Sequence, residues 1–414
     1  MLDKHNMNKL NVDSKKMRRL YSLLFFLYFS TVAFSQGKLS KSDLIKLDFS
    51  ILAANKKKLQ LKDAELLPAY RQLISNANRL LNYQPVTVMD KTAMPPSGNK
   101  HDYMSIAPYW WPDATKANGL PYIRKDGEVN PEVNAYPDKE HLPKLCENVY
   151  LLALAYYFSD NEKYAAHASK LIQVWFLDDA TKMNPNLNYG QAVKGVIEGR
   201  AEGLIDTRHF IYLIDAVNII KNSSKWSASN QASLKQWFSE FLDWMQTSKI
   251  GKDELNANNN HGVWYDAQRL SMALFIDSTH LANSIVKNLA ERLDHQMNVD
   301  GFFPLELERT TSLHYSVFLL NAFYIAAQLS EKTNMNLWNF QTNTGKSLSK
   351  AFTAIHPYIT MQKKWTGKQI HEFNFQDAVP LLLRSSVKYN CEDCAPAIKT
   401  ISRDNFEALL FHLL

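Results

Sequence analysis

LPKLCENVYLLALAYYFSDNEKYAAHASKLIQVWFL, residues 142–177, decides the fold class. Its apolar positions, Leu142, Leu145, Val149, Leu152 and then Tyr164, Ala168, Leu171, Trp175, recur at steps of three and four, the period of an amphipathic helix. A short polar break at Asp160-Asn161 separates two helices, 142–159 and 161–177. The same pattern returns over 206–220, 227–249, 262–277, 279–296, 311–330, 343–356 and 376–386, alternating with short connectors. Upstream, residues 40–82 read as two more helices, one on Leu44, Ile45, Leu47, Ile51 and Leu52, the other on Leu66, Leu67, Tyr70, Leu73, Leu80 and Leu81. Strand-like alternation is scarce and no β-rich tail follows the last helix. Helices in consecutive hairpins predict an all-α fold, a single-domain (α/α) toroid or barrel without a C-terminal β-sandwich, whose inner helices surround a cleft built from their connecting loops. A superhelical solenoid is the rival, and no fixed repeat length favours it.

Two stretches depart from this pattern. Residues 85–136 are polar, proline-containing and rich in aromatics, and read as one long loop of the kind that lines a binding site. Residues 1–35 read as a signal peptide: Lys15, Lys16, Arg18 and Arg19 precede an apolar run, Leu20 to Phe34, too short to span a membrane comfortably. The mature chain, 36–414, is then expected to be secreted or periplasmic, with no stable membrane anchor. The leader holds six Lys/Arg and two Asp/Glu, so it carries +4 of the chain's +6 and leaves +2. Such a near-neutral chain lacks the broad basic field that captures nucleic acid, and an acidic ligand must be held by a local cluster. In an oxidising compartment Cys391 and Cys394 read as a tight disulfide or two idle thiols, and Cys146 as a packed core thiol. No zinc-ligand spacing accompanies them.

Three segments carry candidate chemistry. Asn258-Asn259-Asn260-His261-Gly262-Val263-Trp264-Tyr265-Asp266 opens a helix, where free backbone N–H groups favour anions. One asparagine suffices as a cap, and Tyr265 falls on the face of His261. Asp300 to Ser316 runs from a turn into a helix, placing Arg309 just before it and Tyr315 in its second turn. The structural alternative pairs Arg309 with Glu306 or Glu308 and packs Tyr315 inside. Lys194 to His209 is glycine-rich but lacks the strand and spacing of a phosphate loop. It reads as a cleft loop in which Arg200, beside Glu198, contacts sugar carboxylates, or else as an internal Arg–Glu network.

In combination these motifs resemble the alginate lyase superfamily: Asn260-His261, Glu306-Leu307-x-Arg309, Ser312-Leu313-His314-Tyr315, and the earlier Lys100 to Ser105 with Pro108-Tyr109-Trp110-Trp111-Pro112. The resemblance spans about residues 95–330. The six-residue spacing of Arg309 and Tyr315 is closer to a branch that includes glucuronan-active lyases. It implies a polysaccharide lyase cleaving a 1,4-linked uronate polymer, alginate first and glucuronan next, by β-elimination. Asn260 and His261 would neutralise the uronate carboxylate, Arg309 would lower the pKa of Tyr315, and Tyr315 would serve as base and acid. His261 would be the base for the epimer that needs anti elimination. Tyr103, Tyr109, Trp110, Trp111 and Tyr265 are expected at the sugar, with Arg200 and Glu198. No organic cofactor and no catalytic metal are implied. The rivals are a glycoside hydrolase on the same toroid, which needs two carboxylates flanking the bond, and a non-catalytic protein that binds acidic glycans.

Overall fold

The computed structural model describes residues 39–401 and Leu413. The expected signal peptide lies outside them. Fourteen helices are present among the described residues: α1 (Phe49–Gln60), α2 (Leu67–Leu80), α3 (Asp138–Ser159), α4 (Glu162–Phe176), α5 (Phe210–Ile220), α6 (Ala228–Thr247), α7 (Lys249–Leu255), α8 (Asn260–Phe275), α9 (Thr279–Gln296), α10 (Pro304–Leu307), α11 (Ser312–Ser330), α12 (Leu348–Ile359), α13 (Val379–Lys388) and α14 (Cys394–Ile401). Side-chain caps set many of the starts: Asp48, Asn161, Ser227 and Ser347 accept from the first-turn N–H groups of α1, α4, α6 and α12.

The helices sort into two layers by burial. All but two of the sixteen residues of α8 are buried, whereas α1 buries only Leu52 and Asn55. A helix apolar on every side must be surrounded. Accordingly α3 packs on α5, α5 on α8, α8 on α11 and α11 on α13, while α2 and α4 flank α3, α9 covers α8 and α12 covers α11. The all-α toroid read from periodicity is the fold observed. Between the layers Phe176, Phe210, Trp237, Phe238 and Phe241 meet mostly edge to face, joining α4, α5 and α6.

Long connectors lead into the N-terminal ends of the inner helices α3, α5 and α11, and the short helix α7 leads into α8, so these segments gather on one rim. The segment 85–136, expected as a loop without regular structure, contains short strands. Met104–Ile106 (β1) pairs in parallel with Tyr189–Ala192 (β4), and Trp110–Trp111 (β2) pairs antiparallel with Ile123–Arg124 (β3). Strands of two or three residues are too short to register as a period in sequence. The glycine-rich stretch at 195–203 has a packing cause. A Cβ on Gly203 would stand 2.6 Å from the carbonyl carbon of Gly190, and one on Gly199 would stand 1.9 Å from the Asn188 carbonyl oxygen. Backbone therefore lies on backbone beneath β4. Gly203→Val is expected to lose about 2–3 kcal/mol of stability in chemical denaturation; an unchanged midpoint would mean that the two segments separate at no cost.

Cys391 and Cys394 form a disulfide, and Cys146 is a buried free thiol.

Candidate active site

The rim where the inner helices begin collects the candidate residues. At the head of α8, Asn259 is the cap, its side chain accepting from the His261 N–H at 3.1 Å. That leaves Asn260 and His261 for other work. His261 Nδ1 lies 2.8 Å from Glu254 Oε1, and Glu254, in the short helix α7, is 2% exposed. Burial alone would lower the pKa of the imidazole, but the adjacent Glu254 carboxylate more than offsets it, and the net shift is upward. His261 therefore tends to carry a proton and a positive charge, with Nδ1 occupied and Nε2 as its other donor.

Asn260 differs from expectation. It is fully buried, and its Nδ2 donates to both oxygens of Glu306 at 3.0 Å while its backbone N–H donates to Oε1 at 2.7 Å. Its donors are thus committed to a protein carboxylate in this structure, which ties α8 to α10, and its Oδ1 is left without a partner. Glu306 also feels the charges of Arg309 and His261, so it links the two candidate segments.

Arg309 pairs with neither glutamate proposed from sequence. Its Nε and Nη2 contact Asp126 Oδ2 and Oδ1 at 3.1 and 2.8 Å, a bidentate pair across 183 residues. Burial would raise the Asp126 carboxyl, yet Arg309, helped by Arg124, holds it down at about 2. The Arg309 guanidinium also lies over the Tyr315 ring, 3.5 Å from its centroid. Tyr315 donates to the Tyr109 hydroxyl at 3.1 Å. Its pKa is raised well above the ordinary value, because burial and Tyr109 outweigh the opposing pull of Arg309. Arg309 does not by itself create a resting phenolate, since Asp126 neutralises much of its charge.

Arg200 completes the electrostatics. It donates to Glu202 at 2.9 Å and to Gln191 Oε1 at 3.0 Å, and its buried Nε has no partner. The internal Arg–Glu contact expected as one alternative is present. Gln191 in turn donates to Asp206, which also accepts from Tyr103 at 3.0 Å and Ser105 at 2.8 Å. Tyr103 is buried at 0% exposure, three hydrogen bonds from Arg200 by way of Gln191 and Asp206. That corrects its expected place at the sugar. Tyr265 is corrected likewise: its hydroxyl donates to the Met245 carbonyl at 2.8 Å, and it is 1% exposed. One helical turn from His261, the α8 face already points into the core. Asp206 is thus the hub of the Arg200 network.

Trp110 and Trp111 are half-buried on the β2–β3 hairpin, with Trp111 Nε1 bound to the Glu128 carbonyl and the Lys125 ammonium over its ring. The hairpin docks on the catalytic turn through Asp126, Thr310 and Arg309. Glu198 is exposed nearby in sequence to Arg200. Glu254 and Asp126 were not singled out from sequence. Glu254 sits in an ordinary charged helix, and Asp126 in a loop whose distance along the chain hides its partner.

The candidate groups thus comprise the Arg200 guanidinium, His261 with its raised pKa and the Tyr315 hydroxyl. The arrangement suits removal of a proton beside a carboxylate.

A family profile described as Alginate lyase matches residues 87–365. Among solved structures, an alginate lyase from Bacteroides ovatus superposes with a TM-score of 0.83 at 37% identity, over 88% of this chain and 96% of that one. A histidine-to-alanine variant of alginate lyase A1-III complexed with a tetrasaccharide matches at TM-score 0.57 and 14% identity, over 87% of this chain and 92% of that one, a likeness of fold. No curated protein matches.

Proposed function

The chain belongs to the alginate lyase family of polysaccharide lyases, and from that premise we propose that it cleaves a 1,4-linked uronate polymer by β-elimination, alginate first and glucuronan next. The observation that carries the reading is Tyr315, with a guanidinium against its ring and a second hydroxyl, Tyr109, at its oxygen.

The chemistry follows from the C5 proton, which is hardly acidic while the neighbouring carboxylate keeps its charge. His261, whose protonated form the Glu254 carboxylate favours, and the Arg200 guanidinium offset that charge as it grows toward the aci-carboxylate. Tyr315, as phenolate, removes the proton. The electron pair left on C5 forms the C4–C5 double bond and expels the bridging O4, and Tyr315 returns the proton to that oxygen. One hydroxyl can do both when the C5 hydrogen and O4 lie on the same face, as in mannuronate and glucuronate. Guluronate presents them on opposite faces. The phenolate is stabilised by Arg309 and by Tyr109, whose O–H can turn to donate once Tyr315 has lost its proton. His261 is then a charge acceptor, and a base for the opposite face is not required of it.

A hydrolase would need two available carboxylates. Glu306 is taken by Asn260 and Glu202 by Arg200, which favours elimination; Glu198 and Glu308 are exposed and are the carboxylates left to that rival. With residues 1–35 read as a leader, the enzyme works outside the cytoplasm, secreted or periplasmic, where such polymers are met.

The test is ultraviolet absorbance of the purified protein with mannuronate blocks, guluronate blocks and glucuronan. A rise on mannuronate blocks, glucuronan or both, with little on guluronate, is expected. A rise confined to guluronate would overturn the same-face mechanism, and cleavage without absorbance would restore the hydrolase.

A further inference from the structure

Below the catalytic rim a cavity of about 650 Å³ runs along the toroid axis, with walls from α3, α5, α8, α11 and α13. On α11 its lining extends from His314 to Gln328, about 20 Å at 1.5 Å per residue. His314 stands at its mouth, next to Tyr315 in sequence.

The far end is crossed by the segment 44–47. The backbone N–H groups of Ile45, Lys46 and Leu47 donate to the buried Asp215 carboxylate of α5 at 2.8, 3.0 and 2.6 Å. The strap is pinned to α5 by these three bonds. Gln328 of α11, also in the wall, accepts from the Arg384 guanidinium at 2.8 and 3.0 Å.

The wall chemistry is unusual for a void. Lys46, Arg208 and Arg384 line it, and none has an ion-pair partner among the described residues. Lys46 lies over the Tyr212 ring at 4.5 Å, and Arg208 over Phe318 at 5.8 Å. Of the wall carboxylates, Asp377 lies 3.5 Å from His314, and Glu147 sits on α3. Two further wall groups are almost completely buried with polar atoms unpartnered: the Tyr150 hydroxyl (8% exposed) and the Trp264 Nε1 (5% exposed). Arg208 donates to the Ile205 carbonyl at 3.0 Å and Arg384 to the Gln328 side-chain oxygen, but buried cations without a counter-charge and donors left without partners are costly unless a ligand satisfies them. Aromatic walls, donors for hydroxyls and cations for carboxylates are together the complement of an acidic sugar. The volume is that of a pocket for a small molecule rather than a passing polymer.

We propose that this axial cavity is a blind subsite that takes the terminal two or three uronates of the chain, so that the enzyme cuts from a chain end. The inference rests on the uronate-lyase reading and adds to it the mode of attack. Because the strap closes the floor, a polymer cannot thread through, and Lys46 and Arg384 meet the carboxylate at the chain terminus.

Two measurements test it. Binding of a saturated mannuronate trisaccharide to the Tyr315→Phe protein is measured by calorimetry, alone and with Lys46→Met or Arg384→Met added. Each added change is expected to weaken binding about tenfold or more. The two variants keep the strap's backbone bonds, and matching melting temperatures confirm that they fold. No binding, or unaltered affinity in both, overturns the proposal. In parallel, viscosity and absorbance of a long polymer are followed with the wild type. Chain-end attack raises absorbance while viscosity stays high, and an early collapse of viscosity overturns it. Absence of absorbance on every uronate polymer would instead remove the lyase reading, and the calorimetry would still decide the cavity.

Discussion

Tyr315→Phe folds like the wild type and loses about 10²–10⁴ of kcat, the usual range for a group that moves a proton in the transition state. The lost hydroxyl makes a single hydrogen bond, to Tyr109 at 3.1 Å, so little stability depends on it. The ring remains beneath the Arg309 guanidinium. Binding of an uncleaved uronate oligosaccharide should be retained, which separates a chemical role from a packing role. The comparison is made by stopped absorbance assays and calorimetry on the same preparations. Turnover within threefold of wild type would assign the proton transfer to another group. A parallel fall in affinity and kcat would point instead to a glycan-binding surface. For the same reason the wild-type rate should rise with pH through the neutral range. Burial holds the Tyr315 phenol above its ordinary value, so the phenolate becomes more populated as pH increases.

His261→Ala is expected to cost about 10²–10³ in kcat, as for loss of one donor to a developing oxyanion. Glu254→Gln gives the more specific result. The Glu254 carboxylate raises the His261 pKa against the opposing effect of burial. A raised histidine is protonated below its folded pKa and loses its charge as pH climbs through it. Without the carboxylate that passage occurs at lower pH. The alkaline limb of the kcat/KM profile should therefore move down, with a rate loss of about tenfold or more at neutral pH, the worth of a hydrogen bond to a charged group. The His261 ring proton shift, followed by NMR across the same range, should move in step. An unmoved alkaline limb would mean that His261 acts neutral, and a merely structural Glu254 would lower stability without displacing the profile.

Both experiments bear on groups that were unequally visible in the sequence. Asn260-His261 and Arg309 with Tyr315 stand out because a helix start concentrates polar side chains where a run of apolar residues begins. Local spacing places such residues on a rim, since cap chemistry and helical period act over a few residues. It does not tell which side chain faces the cleft. Asn260 and His261 are neighbours, yet one is committed to Glu306 and the other to Glu254. Tyr103 and Tyr265 look as suitable for a sugar as Tyr109 does, and burial alone separates them.

The sequence by itself determined the all-α architecture and the segments that furnish the chemistry, because helix formation and capping are read out over one or two turns. Tertiary structure alone decided that Asp126, 183 residues from Arg309, balances its charge, that Glu254 charges His261, and that Lys46 floors an axial cavity walled by five helices. Electrostatic coupling acts through space over a few ångströms and depends on burial, and neither distance nor burial is fixed until the helices have packed.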